Sequence, residues 1–476
     1  MTSKDFRIKL DELRTNFGLI KGLEIQLGRI EEEWEPEGPT IMPGVAELRS
    51  WDLKLLRKYR PFYMPFCDLC CLCTFGKCDL SQGRRGACGL DMAAQQSRIV
   101  LLACCIGAAT HTSHARELVR DLIEKYGRDT PINVGDGYVY LEAPNIRLVC
   151  GMRPKNLGDL EYVLDYVESQ IAELLASTHT GQEGDPIDFE SKVFHAGMLD
   201  HVAMEVADIA QISALNLPRA DPDAPLTQTG MGVVDYTKPV VMCIGHNVIP
   251  SSGIVDYVNR VGLAGQVEIC GLCCTAHELA RYTKGTAKIV GPISWQVRFI
   301  RTGIPDVVVV DEQCIRTNLI EEARKIGAAF IATSPKNCQG LPDLTNEDTD
   351  KIVEDLVSEK IPGALIFNSE KAGEVAVKVA LRLHPKRIHM KKLPDTAGIV
   401  EEASKCRGCK ECERACPNTL QISEAMARAK KGDFSSLAEL YEYCISCLRC
   451  ESACPMDIPI AHLIEKAAER RIKEET

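Results

Sequence analysis

The run Cys-x2-Cys-x2-Cys-x3-Cys-Pro occurs twice in this sequence, as Cys406, Cys409, Cys412, Cys416 and Pro417, and again as Cys444, Cys447, Cys450, Cys454 and Pro455. Few local patterns constrain a chain more. Three thiolates at that spacing wrap one iron-sulfur cubane, and the fourth cysteine, the one before proline, ligates the cubane of the other run. Cys406, Cys409, Cys412 and Cys454 are therefore expected to hold one 4Fe-4S cluster. Cys416, Cys444, Cys447 and Cys450 are expected to hold a second, within a ferredoxin-like domain over residues 395–476. Structural zinc would instead use two Cys-x2-Cys pairs across a long gap. Two neighbouring cubanes conduct electrons, so electron transfer is the function expected at this end.

The chain has 476 residues, enough for several cores, and 23 cysteines, sixteen of which fall into two dense blocks of eight, Cys67 to Cys105 and Cys406 to Cys454. A large chain with this many clustered thiols uses them for metal rather than for disulfides. Net charge is -11 and the 56 Lys and Arg residues are scattered, which argues against a nucleic-acid footprint. The N-terminal MTSKDFRIKLDELRTNFG lacks an apolar signal core, and no stretch offers the run of uncharged apolar residues that a membrane span needs. A cytoplasmic protein without a membrane span is the expectation.

Residues 1–235 read as a mostly helical domain. Leu160, Val163, Leu164, Val167, Ile171, Leu174 and Leu175 repeat at helical spacing, as do Leu199, Val202, Val206 and Ile209. A further helix is expected to start at Thr112 or Ser113 and to stop at Gly127. Its cysteine nest, PFCDLCCLCTFGKCDLSQGRRGACG, holds six thiols where one cubane takes four. One split gives a cluster to Cys70, Cys73, Cys78 and Cys88, which leaves Cys67 and Cys71 with half of a second. The same pair from a second copy across a two-fold axis would complete it, predicting a homodimer. Cys67 and Cys71 also stay open to a reading as free thiols or zinc ligands.

After the proline-rich boundary LPRADPDAPLTQTG, the pattern changes to short apolar runs: VVMCIG, VEICG, AKIVG, VVVVD, AAFIAT and ALIF. This predicts a Rossmann-like parallel α/β domain over residues 236–390, covered on both faces. A basic joint, HPKRIHMKKLPD, leads from it to the cysteine-rich end. Ligands of such sheets collect beyond the carboxyl ends of the strands. His246 follows the first run, Cys273 and Cys274 the second, and Cys314 the fourth; soft and borderline donors converging on one edge suit nickel and iron. Cys338 reaches the same edge and is read as structural. Cys243, Cys270, Cys104, Cys105 and Cys150 are read as inert core thiols.

Taken together, the cysteine nest, the GHN and GLCCT segments and the stretch AATHTSHARELV resemble the nickel carbon monoxide dehydrogenases. Within them, the chain resembles the N-terminal portion of the alpha (carbon monoxide dehydrogenase) subunits of archaeal acetyl-CoA decarbonylase/synthase complexes. Hybrid-cluster proteins share that fold family but lack the twin cysteine runs. The resemblance implies a multidomain fold mixing α+β and α/β parts, and anaerobic oxidation of carbon monoxide by water to CO2, two protons and two electrons. It implies a Ni-4Fe-4S cluster held in part by His246, Cys274 and Cys314, an intersubunit cluster at Cys67 and Cys71 and a relay cluster at Cys70, Cys73, Cys78 and Cys88. His111 and His114 inherit the catalytic, proton-moving role; without the resemblance they read more readily as solvated or capped core residues. The implied partners are a second copy, the small epsilon subunit and other subunits of the complex, and ferredoxin, in an archaeal and methanogenic setting. Family members continue into a second Rossmann-like domain, with three more cysteine ligands and an acid-base lysine, which this sequence does not contain. An iron-sulfur electron carrier without a working nickel site is the alternative.

Overall fold

The structure, a computed structural model, describes residues 6–15, 18–27, 68–74, 77–132, 145–179, 186–215 and 229–474. Phe6–Thr15 (β1) and Gly18–Leu27 (β2) pair antiparallel, Phe6 opposite Leu27 and Thr15 opposite Gly18. This corrects the reading of the first residues as helical. Phe6, Ile8 and Leu10 alternate with Arg7, Lys9 and Asp11, and a period of two suits a strand. The hairpin belongs to one compact unit, and the chain from Asp68 onward, apart from a short piece outside the described residues, builds another.

In that second unit, short strands Leu69–Cys70 (β3) and Cys78–Asp79 (β4) pair antiparallel and lead into a bundle of three long helices. These are Met92–Tyr126 (α1), Leu157–Ser177 (α2) and Pro186–Ala214 (α3). Asp91 caps α1 by accepting from Ala94 N at 3.0 Å, and Gly127 ends it in a positive-φ turn, φ 92°, that suits glycine. The expected stop at Gly127 is met, whereas the expected start at Thr112 or Ser113 is not. Thr112 lies mid-helix, its hydroxyl donating to Ala108 O one turn back at 2.7 Å. The helical stripes of α2 and α3 are buried against α1, including Leu160, Val163, Leu164, Val167, Leu199, Val202 and Val206. Each such side chain contributes roughly 1.5–3 kcal/mol relative to exposure.

Among the described residues, α1 alone is long and apolar enough to cross a membrane by composition. Its apolar stripe, Leu101, Cys105, Ala108, Ala115, Leu118 and Leu122, is buried in the bundle, and it carries Arg98, His111 and His114. That is the pattern of a core helix. The boundary expected at 217–230 falls almost entirely outside the described residues.

All six apolar runs are strands: Val240–Ile244 (β5), Glu268–Leu272 (β6), Lys288–Gly291 (β7), Val307–Val310 (β8), Ala329–Ala332 (β9) and Ala364–Leu365 (β10). They form one parallel sheet in the order β10-β9-β8-β5-β6-β7. Val241, Cys243, Val307, Val309 and Ile331 pack on one face against helices Val248–Arg260 (α4) and Ser369–Arg387 (α6). Val240, Met242, Ile244, Val308 and Val310 face the other way, into a core shared with the cysteine-rich end. Because β5 starts the sheet and the chain grows first toward β7 and then from β8 toward β10, the strand order reverses between β5 and β8. That reversal opens the crevice where sheets of this kind bind ligands.

The basic segment expected to be a simple joint is anchored instead. Asp306 accepts from Arg387 Nη1 at 2.6 Å, from Lys391 Nζ at 2.5 Å and from Val240 N at 2.8 Å, and all three side chains are buried. A buried carboxylate at the start of β8 needs buried cations, and the joint supplies them. Beyond it the described residues form seven short helices, among them Ile399–Ser404 (α7), Glu411–Ala415 (α8), Ile422–Ala429 (α9), Arg449–Ser452 (α10) and Ile460–Ala467 (α11).

Candidate metal centre

The two cysteine runs fold as a repeat. Gly408 and Lys410 flank Cys409 at positive φ, and Ser446 and Leu448 flank Cys447 in the same way. The left-handed residues reverse the chain around the middle cysteine, so that Gly408 N donates to Cys406 Sγ and Ser446 N to Cys444 Sγ, both at 3.4 Å. Glu413 accepts from Ser423 N and Glu451 from Ala461 N, both at 2.9 Å, tying α8 to α9 and α10 to α11 alike. Cys406, Cys409, Cys412 and Cys454 line one hollow, walled by Met426, Ile458 and Ile460. Cys416, Cys444, Cys447 and Cys450 line another, walled by Ile422, Leu448 and Ile464. Each cavity borrows one cysteine from the other run, and all eight thiols are unpaired. Four sulfurs around an apolar hollow fit a cubane.

Two arginines of the sheet region hold the second run. Arg298, fully buried and stacked on Trp295 and Tyr441, donates to Cys444 O at 2.7 Å and Tyr441 O at 3.2 Å. Arg316 donates to Ser446 O at 2.7 Å and Cys447 O at 3.0 Å.

A third hollow is lined by Cys70, Cys73, Cys78 and Cys88. β3 and β4 place Cys70 opposite Cys78, and Ala87 N donates to Cys78 Sγ at 3.4 Å. Arg98 of α1 donates to Cys70 Sγ at 2.9 Å, and its own Nε is buried without a partner. Cys71 is exposed and does not line the cavity; Cys67 lies outside the described residues.

The fourth group sits at the strand-order reversal. His246 follows β5, and Cys273 and Cys274 open the helix after β6, Cys273–Tyr282 (α5); the three donor atoms lie within 4.8 Å of one another. Cys273 Sγ is 3.7 Å from His246 Nε2 and 3.8 Å from Cys274 Sγ. Cys273 has φ 60°, which turns this first helical residue back toward the histidine. Bonds from Cys274 and His246 hold the Cys273 thiol at about 4, while Cys274 is pushed up by its neighbour and by burial; the contact with Cys273 raises His246. A thiolate beside two further donors is a metal-ligating arrangement.

Asp311, just beyond β8, braces this group from below. It accepts from His246 N at 2.7 Å, Asn247 N at 3.2 Å and Thr275 Oγ1 at 2.7 Å, and burial pushes its carboxyl up to about 8. Gly245 makes that approach feasible, since a Cβ there would lie 1.7 Å from Asp311 Oδ1.

Cys314, expected among the ligands, lies in a left-handed turn after β8 (φ 57°), exposed and outside the close triple. The spacing set both Cys273 and Cys274 at this edge and the family resemblance singled out Cys274, whereas here both lie beside His246. The doubled cysteine was visible, but the backbone turn that lets both point at His246 was not. Cys338 bonds Pro335 O at 3.1 Å and is not part of the triple. Cys243 and Cys270 are buried in strands with thiols pushed up by burial; burial also raises Cys105 and Cys150 to about 11, whereas Cys104 is only partly buried.

His111 and His114 lie on neighbouring turns of α1. His111 Nδ1 is 2.6 Å from Asp200 Oδ1, and buried His114 Nδ1 is 2.8 Å from Glu312 Oε1. Burial alone would raise Glu312, but His114 and Lys336 hold it down at about 2. Gln313 Nε2 donates to Thr110 O at 2.9 Å, so the loop between Asp311 and Cys314 is bonded to the histidine turn.

A fold of helical bundle, parallel sheet and cysteine cages with a histidine-thiolate group at the strand-order reversal defines an iron-sulfur redox protein. Residues 68–139 and 142–389 match the family model described as Prismane/CO dehydrogenase family, and the chain belongs to that family. Residues 405–458 match the 4Fe-4S dicluster domain. The chain is 54% identical over 437 residues to the acetyl-CoA decarbonylase/synthase complex subunit alpha of Methanothermobacter thermautotrophicus, covering 91% of this chain and 56% of that protein. It is 47% identical over 484 residues to the corresponding subunit of Methanococcoides burtonii, covering 100% of this chain and 60% of that one. The chain thus spans a little over half the length of these relatives. Among solved structures, carbon monoxide dehydrogenase IV from Carboxydothermus hydrogenoformans shares the fold at TM-score 0.52 and 18% identity, over 84% of this chain and 77% of that one. A Ni-free carbon monoxide dehydrogenase from Thermococcus sp. AM4 does so at 0.51 and 18%, over 92% and 84%.

Proposed function

We propose that this chain is the iron-sulfur and part of the nickel-binding framework of an anaerobic, ferredoxin-linked carbon monoxide dehydrogenase, the alpha subunit of an acetyl-CoA decarbonylase/synthase complex. The reaction is CO + H2O → CO2 + 2 H+ + 2 e-. The observation that carries this reading is the grouping of His246, Cys273 and Cys274 at the strand-order reversal, with the α1 turn bearing His111 and His114 tied to the neighbouring loop through Glu312 and Gln313. When bound, a nickel-iron-sulfur centre supplies the Lewis acid and electron sink that this oxidation needs. His246, Cys273 and Cys274 would hold it, with Cys314 as a further donor, while Asp311 fixes the His246 backbone. Bonds through Nδ1 to Asp200 and Glu312 orient His111 and His114 and leave Nε2 of each ring as the proton-exchanging atom.

The cages at Cys70, Cys406 and Cys444 carry electrons onward. Exposed Cys71, with Cys67, supplies half of a cluster shared with a second copy in a homodimer. The remaining partners in this reading are the epsilon subunit, the other subunits of the complex and ferredoxin, in the cytoplasm.

A second reading, an electron carrier without a working nickel site, draws on the close group having three donors among the described residues. Metal analysis of the anaerobically purified chain, with CO-dependent viologen reduction, separates the two. About one nickel per chain, lost in Cys274→Ala and His246→Ala together with CO oxidation, supports the first. Iron and sulfide without nickel support the second, and activity surviving either substitution refutes the ligand assignment.

A further inference from the structure

The two largest fully buried side chains of the described residues are arginines, Arg98 and Arg298, and each lies against a cysteine cage. Their settings differ. Arg298 bonds backbone carbonyls, stacks on two rings and has Glu465 at 3.9 Å. Arg98, 1% exposed, donates from Nη1 to Thr178 O at 3.3 Å and from Nη2 to Cys70 Sγ at 2.9 Å and to Gln95 Oε1, with Nε unpartnered. Among the described residues no carboxylate pairs with it. A buried cation without a countercharge costs several kcal/mol. The anion that offsets it is the cage itself, whose cavity Arg98 lines with Cys70, Cys73, Cys78 and Cys88. Four thiolates around a cubane core carry net negative charge, and that charge grows by one when the core takes an electron.

We propose that Arg98 is a positioning residue for electron transfer, its guanidinium bonded to Cys70 Sγ raising the reduction potential of the cluster in that cage. The inference rests on the reading that these four cysteines hold a 4Fe-4S cluster. In the step itself, one electron passes from an external reductant to the core. No bond at sulfur forms or breaks, and the guanidinium keeps its proton. A charge-assisted N–H···S bond already aimed at the ligand stabilises the reduced form more than the oxidised one. Among the described bonds, the other two complete cages have only backbone N–H donors on their sulfurs, at Cys406 and Cys444. Arg98 is the one charged donor to a cage sulfur among the described bonds.

The test is a dithionite titration of the anaerobically purified full chain followed by electron paramagnetic resonance, on native protein, Arg98→Met, Arg98→Lys and Cys78→Ser. The Cys78→Ser variant identifies the signal of this cage. In Arg98→Met that signal is expected to need at least a tenfold larger reducing ratio, which is 59 mV for a one-electron couple. Arg98→Lys, which keeps the charge, is expected to recover more than half of the shift. An unmoved midpoint in Arg98→Met overturns the proposal, as does a lysine variant shifted as far as the methionine one. If Arg98→Met loses iron, the lysine variant decides: retained iron with a near-native midpoint supports the role, and iron loss with the fold intact refutes it. If Cys78→Ser leaves every signal and the iron content unchanged, the cage reading itself fails, and the proposal falls with it for a separate reason.

Discussion

The cages of the C-terminal end and the centre at the sheet edge both use thiolates, yet they are specified over very different ranges of sequence. Each C-terminal cage takes three cysteines from one short run and one from its twin, with the same left-handed residues around the middle cysteine. Its chemistry is complete within one segment. The sheet-edge group exists only because β5, β6 and β8 are neighbours in the sheet, which brings His246, Cys273, Cys274 and the bracing Asp311 to one place. A local motif can therefore be lost by a single substitution within it, whereas the edge site is as sensitive to the backbone beneath it as to its ligands.

Iron removal should split the two regions most sharply. Helices of four to eight residues such as α8–α11 are too short to persist without a core, and the four-sulfur cages form the centre of that core. Anaerobic chelation is expected to abolish protease resistance across residues 399–474 while the sheet, whose core is aliphatic, stays protected. Equal protection of both regions after iron loss would break the comparison.

Arg298→Met should come next, at about 3–5 kcal/mol, because it removes a buried cation and leaves the Tyr441 and Cys444 carbonyls without their donor. Urea unfolding measures the loss, and iron should leave the Cys444 cage faster than the Cys406 cage. Identical release from both would show that Arg298 does not hold the second run.

Gly245→Ala sharpens the other side. Its Cβ would meet the Asp311 carboxylate, so a cost of about 1–3 kcal/mol is expected, with nickel lost and C-terminal iron unchanged. Full nickel loading in this variant would mean that Asp311 does not brace the ligands. The exposed pair Lys351 and Glu347, 2.6 Å apart, belongs to neither region, and Lys351→Ala should leave the unfolding midpoint unchanged in the same assay.

What the sequence made legible follows the same division. Cysteine spacing announced the C-terminal cages because the ligands are local, and the six apolar runs announced the strands because both faces of the sheet are buried. Cys273 was legible as an edge donor beside Cys274, but its closeness to His246 was not, since that goes with one left-handed φ at the start of α5. Nor was the start of α1, because Asp91, which caps the helix, lies far upstream of the expected start at Thr112 or Ser113. Arg98 and Arg298 were not singled out in the sequence, and Arg387 and Lys391 stood only as part of a basic joint; their buried partners are a cysteine sulfur, loop carbonyls and Asp306. Charges buried for long-range reasons leave no periodic trace.

The most direct measurement is native mass spectrometry of the anaerobically purified chain beside its Cys70→Ser, Cys409→Ser and Cys447→Ser variants. The account predicts at least three cubane masses per native chain, one for each complete cage, with each substitution deleting one and leaving the other two. A folded native chain carrying zinc or no metal, or a substitution that leaves all three masses in place, would contradict it.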